Sequence, residues 1–189
     1  MRFVSRFLVL ALICFPALAV AQPAKDAAKS VKPAPPVPVS ANPERTTASF
    51  GDWVMRCEGV GTPVKRVCEV AQVFSVQGQA APIAQIAIGR LEAGGNKQVT
   101  LVLPPNVALL IKPQINVAKA GAAAIELLWQ RCVPGACLAS VSIADSVLAG
   151  LSAEAEPGRI AFKDAADREV TLQLSFRGLA PALDALAKE

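Results

Sequence analysis

The chain has 189 residues, no histidine, no tyrosine and a formal net charge of +4. Without histidine it lacks Ser-His-Asp and Cys-His catalysis, His-ligated metal sites and the usual side chain for sensing pH near neutrality. Arg2 and Arg6, then Lys25, Lys29, Lys32 and Arg45 against Asp26 and Glu44, carry the excess charge; thirteen basic and thirteen acidic residues remain from Ala48 onward, which excludes the basic footprint of a nucleic-acid binder.

Residues 1–21 read as a secretory signal peptide. Arg2 and Arg6 form a positive start, Phe7 to Val20 is apolar apart from the break at Pro16, and Ala19-Val20-Ala21 fits a small-x-small cleavage site before Gln22. The apolar stretch is short for a bilayer-spanning helix, which needs about 20 residues, so an uncleaved anchor is the weaker reading. Cys14 does not read as a lipoprotein cysteine, because Ile13 before it is not small. Export to the periplasm, the outer membrane or the exterior is therefore expected, with no transmembrane helix in the processed chain.

Residues 22–47 read as a disordered linker. VKPAPPVPVSANP holds five prolines among small residues, with no aromatic residue and no periodic apolar face. Such composition favours extended, polyproline-like chain that buries too little to fold.

From Ala48 to Glu189 the pattern becomes one domain of short β segments. FGDWVMRC alternates, with Phe50, Trp53, Met55 and Cys57 available for burial. VCEVAQVFSV, PIAQIAIGRL, KQVTLVLP, VALLIK, AAAIELLWQRC, CLASVSI, GRIAFKD and REVTLQLSF follow. Gly78, Gly94-Gly95, Pro104-Pro105, Gly121, Pro134-Gly135 and Pro157-Gly158 separate them. Many short β-rich runs cut by Gly and Pro turns predict an all-β sandwich or barrel. Two short helices are expected to cover it: ADSVLAGL, capped by Asp145, and LAPALDALAKE, with Leu179, Leu183 and Leu186 at helical spacing. Trp53 and Trp129 read as core aromatics beside cysteine-bearing strand ends, in preference to ligand-stacking platforms.

After the signal segment, four cysteines remain: Cys57, Cys68, Cys132 and Cys137. An even count in an oxidising compartment predicts two disulfides, with three connectivities open. The local pairing is favoured, because EGVGTPVKRV and VPGA each read as a turn that brings its flanking cysteines together. Zinc is disfavoured by spacings of ten and four intervening residues and by the missing histidine. A redox centre at Cys132 and Cys137 lacks the C-x-x-C geometry.

No catalytic, cofactor-binding or metal-binding constellation emerges. The acids are scattered; Asp164 and Asp167 sit together as turn formers, and Lys65-Arg66 reads as a solvated hairpin tip. GxGxxG, P-loop and GxSxG motifs are absent from the sequence.

The leader, the Pro-rich spacer and then Phe50-Gly51-Asp52-Trp53 with Cys57 resemble the opening of the invasion-associated locus B family of exported bacterial proteins. The resemblance continues through Cys68-Glu69-Val70-Ala71-Gln72, LVLPPNVALLIKPQINV, RCVPGACLASVSI and LQLSFRGLAPALDAL, essentially Ala48 to Ala187. It departs at Lys112–Ile115, where a glycine-containing turn would be similar to the family. The resemblance implies an immunoglobulin-like β-sandwich, two disulfides, residence in the cell envelope and a link to host-cell entry. It carries no catalytic residue.

The resulting expectation is a non-enzymatic envelope protein, without cofactor, acting on an envelope or host protein. The disulfide-held loops Glu58–Val67 and Val133–Ala136 are its candidate contact points, with stability alone as their simpler role. An association with a membrane surface stays compatible with this. A small-molecule or glycan binder is the alternative, and a carboxylate hydrolase ranks third for want of paired acids.

Overall fold

The computed structural model describes residues 45–79, 81–90, 95–118 and 123–189. The signal segment 1–21 and nearly all of the linker 22–47 lie outside the described residues. The first strand, β1 (Arg45–Phe50), begins three residues ahead of the boundary expected at Ala48. It pairs along its whole length with β2 (Trp53–Val60), from Phe50 opposite Trp53 to Arg45 opposite Glu58.

β2 continues into β3 (Lys65–Phe74), then β4 (Ala84–Arg90) and β5 (Lys97–Leu103), each antiparallel to the last. After two short strands, β6 (Gln114–Asn116) and β7 (Ile125–Glu126), the hairpin of β8 (Leu128–Val133) and β9 (Ala136–Ile143) completes this sheet. α1 (Asp145–Ser152) leads to β10 (Gly158–Lys163) and β11 (Glu169–Leu174), and α2 (Leu179–Leu186) ends the fold. The large sheet is ordered β1-β2-β3-β4-β5-β9-β8 and the small one β11-β10-β6-β7. The expected sandwich is thus two antiparallel sheets face to face, with a five-strand meander in the larger one.

Period-two patterning decides what each strand buries. In β5, Val99, Leu101 and Leu103 point inward and Gln98, Thr100 and Val102 outward. Val70, Ile86, Ile88 and Ala139 extend the inner layer across the sheet, and Ile115, Ile160, Leu172 and Leu174 answer from the small sheet. β11 starts opposite the end of β10, beside the segment following β5, where Ala108 N–H donates to Lys163 O of β10 at 2.9 Å. It ends beside β2, where Trp53 Nε1 donates to Ser175 O at 2.9 Å. The small sheet therefore runs across the strands of the large one. α2 fills the remaining inner face over β1, β2 and β3, burying Leu179, Ala182 and Leu186.

Four local expectations change. VALLIK does not form a strand: Val107 makes an isolated bridge to Asp164 and the rest is loop, because Pro104 and Pro105 remove two successive ladder donors. Asp145 is not the cap of α1. Ala144 holds that position without a side-chain hydrogen bond, while the Asp145 carboxylate lies 2.6 Å from Nζ of the buried Lys97. Trp129 is half-buried, its Nε1 donating to Ile111 O at 3.0 Å, whereas Trp53 is fully buried. Arg66 is no free tip residue. It lies in β3 and meets Glu189 at 2.9 Å and Thr46 Oγ1 at 2.8 Å.

Candidate interaction surfaces

Cys57 is bonded to Cys68 and Cys132 to Cys137. Both are direct cross-strand pairs, in β2–β3 and in β8–β9, so each clips the base of a hairpin. The pairs follow from register: the turn brings opposed residues together, and each cysteine is the other's partner in the ladder. Beyond Cys57 and Cys68 the ladder continues to Val60 opposite Lys65, so most of Glu58–Val67 is strand. The Glu189 carboxylate lies within 4.8 Å of the Cys57 and Cys68 sulfurs. Those sulfurs are bonded to each other and offer no thiolate to a metal.

The Phe50-Gly51-Asp52-Trp53 motif, prominent in the sequence, forms a lock. Asp52 Oδ2 accepts from Ser175 Oγ at 2.6 Å and from Arg177 Nε at 3.1 Å, and Arg177 Nη2 reaches Oδ1. Asp52 N–H donates to Arg177 O at 3.1 Å, while Ser175 N–H donates to the buried Gln72 Oε1 at 3.1 Å. The Arg177 guanidinium, with the Ser175 hydroxyl second, lowers the Asp52 carboxyl from 3.8 to about 2. Gly51 and Gly178 both have positive φ, and a side chain on Gly178 would sit 2.0 Å from Phe50 O. The two segments approach so closely because neither carries a Cβ there.

The other shifted carboxyls are likewise structural. Arg168 and the Arg168 and Ala166 amides hold Asp164 low in the β10–β11 turn, and Lys97 does the same for Asp145. Lys112 lowers Glu126, 2.9 Å away. Asp164 and Asp167 are turn formers, Asp167 taking a φ of 62°.

Beside the Asp52 lock, three open depressions of about 280, 440 and 650 Å³ share lining residues along the outer face of β10 and β11. Asn116, Arg159, Thr171, Gln173, Ser175 and Arg177 make it a polar trough. Its lining has carboxamides, hydroxyls, guanidinium groups and the carboxylates of Asp52, Glu154, Glu156 and Glu169, and its one aromatic residue among the described residues, Phe176, is buried.

The outer face of the large sheet is different. Register places Val73, Gln85, Val102 and Leu138 in one row, and Val54, Ala71, Ala87, Thr100, Ser140 and Leu128 in the next; Val54, Val73 and Leu128 are exposed, whereas Ala71, Ala87 and Ser140 are buried between their neighbours. Gly89, Gln98 and Ser142 continue a third row. None of these is charged. Charges enter only at its borders, as the Arg56–Glu69 pair on β2–β3 and as Arg131 on β8. Sequence reading missed this surface, since each strand contributes only one to three of its residues and strand order is needed to join them. Uncharged alternate positions in KQVTLVL and CLASVSI were its visible signal.

Together these features define a two-sheet, all-β domain with a disulfide at the base of two hairpins and its N-terminal turn keyed to its C-terminal segment. Residues 53–187 match the family described as invasion associated locus B (IalB) protein, and the chain belongs to that family. The crystal structure of invasion associated protein B from Bartonella henselae is similar in fold, with a TM-score of 0.63 and 23% identity over 76% of this chain and 95% of that one. A search of curated proteins found no match.

Proposed function

We propose that this chain is an exported cell-envelope protein that acts by holding another protein, without catalysing a reaction. The observation that carries this reading is the uncharged outer face of the large sheet. A sheet face meant for water ordinarily carries charged and polar residues, whereas the centre of a protein interface is depleted of charge. The two disulfides and the signal-like N-terminus support an oxidising compartment outside the cytoplasm. No helix among the described residues is long and apolar enough to cross a membrane. The family's description adds host-cell contact to the proposal.

The test is site-specific photocrosslinking in intact cells from Val102 and Thr100, at the centre of the face. A discrete adduct is expected, absent when Val73→Arg, at an exposed position of the same face, is added. No adduct from either position would remove the face from consideration. A host role is tested separately, by whether cells carrying Val73→Arg enter host cells as often as the parent.

The polar trough supports a second reading, as a glycan-binding envelope protein, since its carboxamides and hydroxyls are the groups that pair with sugar hydroxyls. Titration with soluble peptidoglycan fragments, followed by NMR on the side-chain amides of Asn116 and Gln173, decides it. Unmoved resonances at millimolar sugar would end this reading.

A further inference from the structure

Among the described residues, one end of the large sheet stands out. Register puts Phe74, Ala84, Leu103, Cys137 and Cys132 at that end. The loops leaving it are residues 75–83, 104–113 and 133–136. These 23 residues contain one charge, Lys112, and its Nζ is paired at 2.9 Å with the Glu126 carboxylate of β7. They also present bulky apolar side chains to solvent: Val76 at 45%, Leu109 at 51%, Leu110 at 100%, Ile111 at 39% and Val133 at 42% exposure.

The tip is held in place by two backbone bonds and one from a tryptophan side chain. Ala108 N–H donates to Lys163 O at 2.9 Å, Leu127 N–H to Pro113 O at 2.9 Å, and Trp129 Nε1 to Ile111 O at 3.0 Å. Leu109-Leu110-Ile111 is thus a fixed protrusion with Trp129 at its base. Lys112 follows it directly, and Arg131 lies two residues beyond Trp129 on the exposed side of β8. The Asp52–Arg177 ion pair stands at the far, β2 side of the same end.

We infer that this end docks on the surface of a phospholipid bilayer, with Leu109, Leu110 and Ile111 entering the acyl boundary and Arg131 meeting anionic headgroups. A side chain that touches nothing needs a surface that deforms around it, and hydrocarbon does so without a pocket built to fit. The acid beside the loops, Glu126, is neutralised by Lys112, and the apolar tip with a tryptophan at its base and Arg131 next to it is the pattern of an interfacial anchor. This goes beyond the protein-contact reading and uses a different surface, so either can fail alone.

The test is vesicle flotation of exported protein whose N-terminus has been verified at Gln22, using phosphatidylethanolamine/phosphatidylglycerol vesicles and phosphatidylcholine vesicles. The wild type is expected to float with the anionic vesicles, with a blue shift in the emission of Trp129. Leu110→Asp is expected to lower the partition coefficient about tenfold or more at an unchanged melting temperature, because Leu110 packs against nothing. Arg131→Gln is expected to weaken binding to the anionic vesicles only. A wild type that stays off both vesicles, or a Leu110→Asp protein that floats as well as the parent, overturns the assignment. A protein that ignores lipid but forms a dimer abolished by Leu110→Asp overturns it too, and gives the tip to a second copy.

Discussion

At Asp52 a single carboxylate joins the two ends of the folded chain. It accepts from Ser175 and Arg177, which lie more than a hundred residues later, and its own amide returns a bond to Arg177 O. The carboxyl titrates at about 2 against an ordinary 3.8. A folded-state value below the unfolded one means that the stabilisation is complete above about pH 4 and is lost as pH falls toward 2. Asp52→Asn should therefore melt below the wild type at neutral pH, and the gap should narrow between about pH 4 and pH 2. Melting temperatures across that range check it; a constant gap would mean that the charge contributes nothing. Gly178 tests the same joint sterically. Its φ of +88° already disfavours a side chain, and a Cβ there would overlap Phe50 O. Gly178→Ala should cost more than about 2 kcal/mol in urea unfolding, and a cost under about 0.5 kcal/mol would show that the two segments separate easily.

Among the elements, the two clipped hairpins differ in the length of chain they close. Cys57–Cys68 spans a sequence separation of 11 and Cys132–Cys137 one of 5. Loop entropy then predicts that replacing the first pair with alanines costs about 3 kcal/mol and the second about 2 kcal/mol. Urea titrations of the two double variants check the order. A larger loss at Cys132–Cys137 would point to packing of the buried Cys137 as the dominant contribution. These elements also show what could be read before the fold was known. Alternation in KQVTLVL and spacing in LAPALDAL are local signals, and β5 and α2 follow them. VALLIK carries an equally apolar run, yet Pro104, Pro105 and Pro113 withhold donors, and its apolar residues end in solvent. Asp145 looked like a cap because caps are read from neighbours in sequence. Its actual partner, Lys97, is 48 residues away on β5, and only the packing of α1 on the strand ends brings them together. The Asp52 lock was invisible for the same reason: FGDW and SFRG each show a glycine beside a charge, but nothing local says that they meet. The uncharged sheet face needs strand order as well as strand identity.

For the whole molecule, the question is whether the crossing of the two sheets makes one cooperative unit. The buried cluster runs without a break from Trp53 and Val70 through Leu101 and Ala139 to Ile160, Leu174 and α2. Each sheet alone would expose its inner face, so neither sheet nor α2 has a stable state of its own. The chain should then unfold in a single transition. Tryptophan positions allow a direct check, because Trp53 is buried under Ser175 and α2 while Trp129 sits half-exposed at the lipid-facing end proposed above. In Trp129→Phe the emission reports only the β2 side, and far-UV circular dichroism reports all strands. The two should give coincident urea midpoints with both disulfides intact. An earlier loss of Trp53 emission would mean that the Asp52 joint opens before the sandwich, and the N-terminal hairpin would then be a detachable edge exposing β3 for strand pairing.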